Sequence, residues 1–306
     1  MNFSVRKNCL LCQGSDLVEV RREANNLKGD AILDSYLRED SVLLKCGVCG
    51  FAFVKSIPSD GGFYARLYRD DARDVSIDFK FSGKRLIFKE VLKTLGDSLP
   101  ARARLLDIGA GTGAFVKAAS EKYEASGIEL SESSVAFAQS QRLPVRNIDF
   151  MDLKSDEKTF DALTLIDVLE HLPDPAAAVS KFRTVLNSQG YLYIKVPNYP
   201  VQAAKQDLMK SLGLSKAGIM QDYIHINHFT MSSLCKFLNA NGFTVKRSGY
   251  SAPEVWDLTW ADAPKSVLHR RLYNWIVLAI TNFLNLASTV SGLNLGLNFW
   301  VLAQKS

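Results

Sequence analysis

Four of the five cysteines fall in two C-x-x-C pairs, Cys9 with Cys12 and Cys46 with Cys49, with 33 residues between Cys12 and Cys46. Each pair sets two thiolates on one tight turn, and two such turns supply the four tetrahedral ligands of a structural Zn2+. Gly47 and Gly50 suit those turns. A redox C-x-x-C would occur once, inside a βαβ unit, and none surrounds these cysteines. Cys235 stands in a helical pattern and reads as a small buried apolar residue. A second chemical stretch is Asp107-Ile108-Gly109-Ala110-Gly111-Thr112-Gly113. Its glycines let backbone pass close beneath a ligand, and the helix that follows offers unpaired N–H groups. About 20 residues on, Glu129 ends an apolar run, where a carboxylate can accept hydrogen bonds from ribose hydroxyls.

The spacing here is D-x-G-x-G-x-G rather than the dinucleotide pattern G-x-G-x-x-G. A carboxylate two residues before the first glycine repels a pyrophosphate but suits a ligand with an ammonium group. That chemistry points to S-adenosyl-L-methionine (SAM). The stretch from Arg104 to Leu130 resembles the first two motifs of the class I SAM-dependent methyltransferases. The resemblance implies cofactor contacts from Asp107, Gly109, Ala110, Gly111, Gly113, Glu129 and Leu130. It also implies that the Asp149 carboxylate accepts from the adenine amine while Phe150 packs on the ring. Further on, Phe160-Asp161 and Asp167-Val-Leu-Glu170-His171-Leu-Pro-Asp-Pro175 resemble the family's "FD…D-x-x-EHLPDP" signature. This adds Asp167 to the cofactor crevice.

These residues need a sheet to position them. Short apolar runs at Leu105–Ile108, Ala125–Ile128, Pro144–Ile148, Phe160–Ile166 and Gly190–Val196 read as strands. Helical patterns at 114–122, 133–142 and 176–186 alternate with them, and Ser131 and Pro175 mark two of the starts. Gly109, Glu129, Asp149, Asp167 and Asn198 then all lie at the carboxyl ends of strands, where open α/β sheets bind ligands. The expected fold is α/β: a seven-stranded doubly wound methyltransferase sheet behind a small zinc ribbon, with an apolar helical insert before the last strand. The expected organisation is a zinc-ribbon module over 1–58, a linker and packing helix over 59–98, and a methyltransferase domain over 99–306 with its insert at 251–297. The amino-terminal part, Cys49-Gly50-Phe51-Ala-Phe53, Pro58 and Phe63-Tyr64, resembles the cysteine-knuckle module of some bacterial methyltransferases.

Methyl transfer is an in-line displacement, so a protein mainly holds the acceptor and removes its proton. His171, with Glu170 beside it, and His225 and His228 in an "H-x-x-HFT"-like segment are the candidate catalytic residues. Histidine titrates near neutral pH, so each could take a proton. The alternatives are that His171 is a hydrogen-bonded loop residue and that His228 caps the next helix. Asp167, Glu170 and His171 could instead hold a divalent cation, as a similar "E-x-x-EH" arrangement does in quinone-ring O-methyltransferases. Residues 201–221 read as a helical cover over the acceptor.

Composition bounds the rest. Of 306 residues, 47% are hydrophobic and 23% charged, an ordinary composition for a chain that buries a core. The net charge of +5 is spread without a Lys/Arg block, so a nucleic-acid partner is not indicated. No signal peptide is visible near the amino terminus, and the cysteine usage suits a reducing compartment. The expected location is cytoplasmic, with the periphery of the inner membrane left open. From Leu272 to Gln304 no side chain is charged, and Lys265, His269, Arg270 and Arg271 precede that run. Such a segment suits peripheral membrane contact through 265–295, or burial against the protein itself, or a homodimer face. The leading reading is SAM-dependent methylation of a hydroxyl on a small-molecule, glycan or lipid-linked acceptor. Sugar C-methylation and a zinc-ribbon protein that binds or modifies RNA are the alternatives.

Overall fold

The computed structural model describes residues 3–23, 41–59, 63, 67, 83–154, 159–213, 225–254 and 267–306. Five short strands lead: β1 (Phe3–Val5), β2 (Leu17–Glu23), β3 (Ser41–Cys46), β4 (Ala52–Val54) and β5 (Ser56–Pro58). β2, β3 and β4 pair antiparallel, and the Cys46–Cys49 turn joins β3 to β4. β1 pairs separately with β5. The charged link at 70–78 and the start of the next helical pattern, through 82, lie outside the described residues.

α1 (Arg85–Gly96) buries Ile87, Val91 and Leu95, a stripe at helical spacing. Next come β6 (Arg104–Ile108), α2 (Ala114–Ala119), β7 (Glu124–Glu129), α3 (Glu132–Ser140) and β8 (Val145–Asn147). β9 (Phe160–Ile166), α4 (Pro175–Val185) and β10 (Leu186–Pro197) follow. Asp174 caps α4, accepting hydrogen bonds from the amides of Ala176 and Ala177, and Pro175 occupies its first turn. α5 (Tyr199–Ser211) takes up the first part of the segment expected to cover the acceptor; residues 214–221 of it lie outside the described residues.

β11 (Asn227–His228), α6 (Met231–Ala240), β12 (Phe243–Tyr250), α7 (Val267–Ser291) and β13 (Asn298–Lys305) complete the chain. The main sheet has seven strands in the order β12-β13-β10-β9-β6-β7-β8. Strands β6 to β10 run parallel, and β13 lies antiparallel between β10 and β12. β9 is apolar and buried over nearly its whole length because helices cover both faces, so its residues do not alternate with polar ones.

β11 belongs to the other sheet. It pairs antiparallel with β4, setting Asn227 against Phe53 and His228 against Ala52, so the ribbon becomes a four-stranded sheet β11-β4-β3-β2. The amide of Val54 donates to the carbonyl of Ile226, and the rings of Phe51 and Phe229 lie 5.0 Å apart. Thr230, not His228, caps α6, its hydroxyl accepting from the Ser233 amide.

Arg6 fastens the junction. Its guanidinium is buried and donates to the Ile226 carbonyl (3.3 Å), Asn227 Oδ1 (3.3 Å) and the Pro173 carbonyl (2.9 Å). One side chain from the ribbon thus holds the two loops that carry Glu170–His171 and His225–His228. Arg6→Ala removes the charged donor from Asn227 Oδ1 and the Pro173 carbonyl, leaves the Ile226 carbonyl only the Val54 amide, and should cost about 2–4 kcal/mol in urea unfolding. It should also speed amide exchange in residues 225–229. A loss under about 0.5 kcal/mol with unchanged exchange would show that the clamp carries no weight.

Candidate functional site

The glycine turn after β6 has an open side and a closed side. Gly109 has φ +72°, and a Cβ there would come within 2.6 Å of Val168 Cγ2. Gly111 has φ +52°, and a Cβ there would meet nothing within 4 Å. Beneath the turn, Asp107 is buried and accepts from the Thr164 hydroxyl at 2.6 Å. Burial pushes its carboxyl up to about 7, against the pull of Thr164 and Lys84, and Glu129 adds to the rise. Ala110 is buried, and a Cβ at Gly127 would come within 2.5 Å of its methyl group.

At the tip of β7, Glu129 Oε2 accepts from the Gly111 amide at 2.8 Å. Its Oε1 accepts from the amides of Leu130 (2.7 Å) and Ser131 (2.9 Å). The carboxylate therefore braces the turn and retains further lone pairs for a ligand. Asp149 Oδ1 accepts from the Met151 amide and caps a short 3-10 turn over Phe150–Asp152, while the Phe150 ring lies 5.3 Å from that of Phe182.

Asp167 follows β9 with φ +59°. Lys195 Nζ donates to its Oδ1 at 2.6 Å and Lys84 Nζ to its Oδ2 at 2.7 Å. Burial alone would raise this carboxyl, but the two ammonium groups outweigh it and hold it far below the usual carboxylate range. The alternative reading of Asp167, Glu170 and His171 as a cation site meets a different grouping in the structure. The residues whose donor atoms lie within 4.8 Å of one another are Glu170, His171 and His225, a spacing one cation can bridge.

Glu170 is 1% exposed, and among the described residues neither carboxyl oxygen has a hydrogen-bond partner. Burial first, and then the charge of Asp167, push it up to about 8. His171 Nε2 stands 4.0 Å from Glu170 Oε1, beyond hydrogen-bond reach. The rings of His171 and His225 lie 4.7 Å apart, and that of His228 lies 5.2 Å from Tyr199. Burial, then His171 and His228, push His225 down to about 3, so it is neutral throughout the physiological range. Glu170, Pro197, Tyr199, Gln202, His225, Asn227 and His228 line one cavity of about 100 Å³.

The four ribbon cysteines gather as a set, with Sγ atoms within 4.8 Å of one another. Cys9 and Cys49 sulfurs lie 3.5 Å apart, and those of Cys12 and Cys46 lie 3.6 Å apart. A tetrahedral zinc with Zn–S near 2.3 Å requires S–S distances of about 3.8 Å, so the residues fit this ion. Elemental analysis should find about one zinc per chain. Chelating it should raise amide exchange in β4 and, through the pairing, in residues 227–229. Zinc-free protein with unchanged exchange would overturn the assignment.

Lys84, Lys195, Thr164 and Arg6 have no place in the sequence motifs, yet each touches this site. Lys195 left one trace, a lone cation inside the apolar run Tyr191–Val196.

Glu170 also sets a pH dependence. Below about 4.5 its carboxyl is protonated in folded and unfolded chains alike. Between there and about 8 only the folded chain keeps the proton, so its contribution to stability falls as pH rises. Asp107 works in the same direction up to about 7. Glu170→Gln should flatten the decline in unfolding free energy between about pH 5 and pH 8. An unchanged decline would show that this carboxyl ionises normally.

The family described as Methyltransferase domain matches residues 82–248, more than half of the chain. A ubiquinone biosynthesis O-methyltransferase of Alkalilimnicola ehrlichii is 32% identical over 103 residues, 31% of this chain and 42% of that protein. Its counterpart from Idiomarina loihiensis is 30% identical over 108 residues, 33% of this chain and 44% of that one. The chain thus spans less than half the length of these curated relatives. Among solved structures, a methyltransferase in complex with the Haloferax volcanii Trm112 activator superposes with TM-score 0.51. It is 13% identical, with 79% of this chain and 97% of that one covered. The Burkholderia thailandensis 1,6-didemethyltoxoflavin-N1-methyltransferase, solved with its 1,6-didemethyltoxoflavin and S-adenosylhomocysteine, gives 0.50 at 19% identity, covering 84% and 96%. At these identities the two structures speak for the fold. With the matched stretch spanning the glycine turn, both strand-tip acids and the Glu170 loop, the chain belongs to the class I SAM-dependent methyltransferase family.

Proposed function

We propose that this chain transfers a methyl group from SAM to a hydroxyl of a small-molecule, sugar or lipid-linked acceptor. The observation that carries the reading is the pair of acids at adjacent strand tips, Asp107 and Glu129, on either side of a glycine turn that is open at Gly111. When bound, SAM supplies an electrophilic methyl on a sulfonium. Asp107 would hold its ammonium group and Glu129 its ribose hydroxyls, with Asp149 and Phe150 at the adenine. The O-methyltransferase names of the relatives support oxygen as the receiving atom.

The acceptor would enter the cavity beside Glu170 and the three histidines. With a carboxyl pushed to about 8, the ionised fraction of Glu170, which grows as pH rises toward that value, would take the hydroxyl proton as the oxygen attacks. Neutral His225 can accept or donate one hydrogen bond and would orient the hydroxyl. His171 and His228 flank it, and Asp167 stays ionised between its two lysines.

Calorimetric titration with S-adenosylhomocysteine tests the cofactor half. Binding should be about micromolar, and Asp107→Asn or Glu129→Ala should weaken it about tenfold or more without unfolding the protein. Because the ligand's ammonium needs Asp107 ionised, wild-type affinity should rise between about pH 6 and pH 8 by about tenfold in all and level off above. Asp107→Asn should be flat. Wild-type affinity in both variants would overturn the assignment.

A further inference from the structure

α7 turns an apolar face outward. Trp275, Ile276, Ile280, Phe283, Leu286 and Val290 are all exposed, with Trp275 at 74% and Val290 at 79%. At about 100° per residue these six occupy one arc of about 140°. The opposite arc holds Thr281 and Ser288, both buried, and Asn285. Asn285 Nδ2 donates to the Ser251 carbonyl at 3.0 Å, and Ser288 Oγ accepts from the Leu295 amide at 3.0 Å. That arc, which also carries half-buried Val277, Leu278 and Leu284, is thus fixed to the protein body while the six exposed apolar residues look outward. An exposed apolar stripe running about 22 Å along a helix marks a surface that something covers.

Charge selects the occupant. After Asp262 the chain has no Asp or Glu, but it carries Lys265, Arg270, Arg271 and Lys305. Arg270 and Arg271 belong to the first turns of α7. Helix pairs between copies of a chain are specified by charged residues flanking the apolar seam. Here the flanking positions Asn282, Thr289 and Ser291 are uncharged. A basic end, an aromatic residue and an uncharged apolar stripe match a helix lying in the headgroup region of an anionic bilayer. No helix among the described residues is long and apolar enough to cross a membrane, so contact would be lateral.

We propose that the outward face of α7 docks the protein onto anionic lipid bilayers, with the helix lying in the interface plane. The docking does not depend on the cofactor assignment. Its position bears on the acceptor nonetheless. Asn198 Nδ2 donates to the Gly296 carbonyl and to Asn294 Oδ1, both at 2.6 Å, and Gln202 Nε2 donates to the Leu297 carbonyl at 2.9 Å. Gln202 and its neighbours Pro197 and Tyr199 line the cavity. The segment leaving the docked helix is therefore tied to the cavity wall.

The test is co-sedimentation of the full chain with vesicles of phosphatidylcholine alone and of phosphatidylcholine mixed with phosphatidylglycerol. Wild-type protein should pellet with the anionic vesicles. Ile280→Ser with Phe283→Ser should weaken that binding about tenfold or more, with circular dichroism and thermal melting unchanged. Arg270→Gln with Arg271→Gln should reduce the preference for anionic over neutral vesicles. Wild-type protein left in the supernatant, or binding untouched by the double serine variant, would overturn the proposal. So would a concentration-dependent dimer, lost in that variant, with no vesicle binding; the face would then belong to a second copy.

Discussion

The cavity beside Glu170 depends on a two-residue strand. Asn227 and His228 are too few to hold an extended conformation unaided, because an isolated short pairing is marginal in water. They are held because β4 supplies a preformed edge, Arg6 satisfies the carbonyl and amide around them, and Phe51 packs on Phe229. β4 is in turn the strand that leaves the Cys46–Cys49 turn. The ribbon therefore supports the strand whose Asn227 and His228 line the cavity. Arg6, one of the few basic residues near the cysteines, is buried in that task and is not on offer to a polyanion.

Across the cavity the constraint is electrostatic. Lys195 is 1% exposed on the central strand β10, and a buried ammonium survives only when paired. Asp167 pairs it, and the parallel register makes this possible: the Asp167 amide donates to the Lys195 carbonyl, which brings the two side chains together. The second ammonium, Lys84, ties α1's amino-terminal end to the same carboxylate. An Asp167 so firmly ionised acts on Glu170, three residues on, which burial already disfavours as an anion. Two carboxyls in one loop are thus driven in opposite directions, one permanently charged and one poised near neutrality. Environments that separate two acids in this way are the usual basis for assigning distinct acid and base roles.

What the sequence made legible follows from range. The glycine turn, the strand-tip acids and the paired cysteines are local patterns whose chemistry is written within a few residues or repeated in kind. Lys195 and Arg6 were not legible as site residues. An isolated lysine in an apolar strand has no sequence-visible partner, since Asp167 lies 28 residues away and only the sheet register unites them. The partners of Arg6 are 167 to 221 residues distant and are mostly backbone carbonyls, which carry no residue-type signal at all. The position of Asp167 at a strand end is legible from the apolar run before it, yet its lysine partners, and hence its separation from the Glu170–His171–His225 group, appear only in three dimensions.

The insert before β13 shows the same limit from the other direction. Its apolar composition is plain in the sequence, but composition cannot tell which side of a helix meets the protein. Thr281, Asn285 and Ser288 decide it, because a polar side chain turned inward must find a partner, and two of these bind the Ser251 carbonyl and the Leu295 amide. Once those contacts orient the helix, Trp275, Ile280, Phe283, Leu286 and Val290 are left on the outside, while Val277, Leu278 and Leu284 sit half-buried beside the polar contacts. β13 lies between β10 and β12, so the helix and its exit segment are anchored at the sheet's carboxyl edge. There the Asn198 amide donates to the Leu297 carbonyl, and the Asn198 side chain, fully buried, holds Gly296. The exposed face of α7 and the cavity beside Glu170 are thus joined through one buried asparagine, which holds the segment that runs from Ser291 to β13.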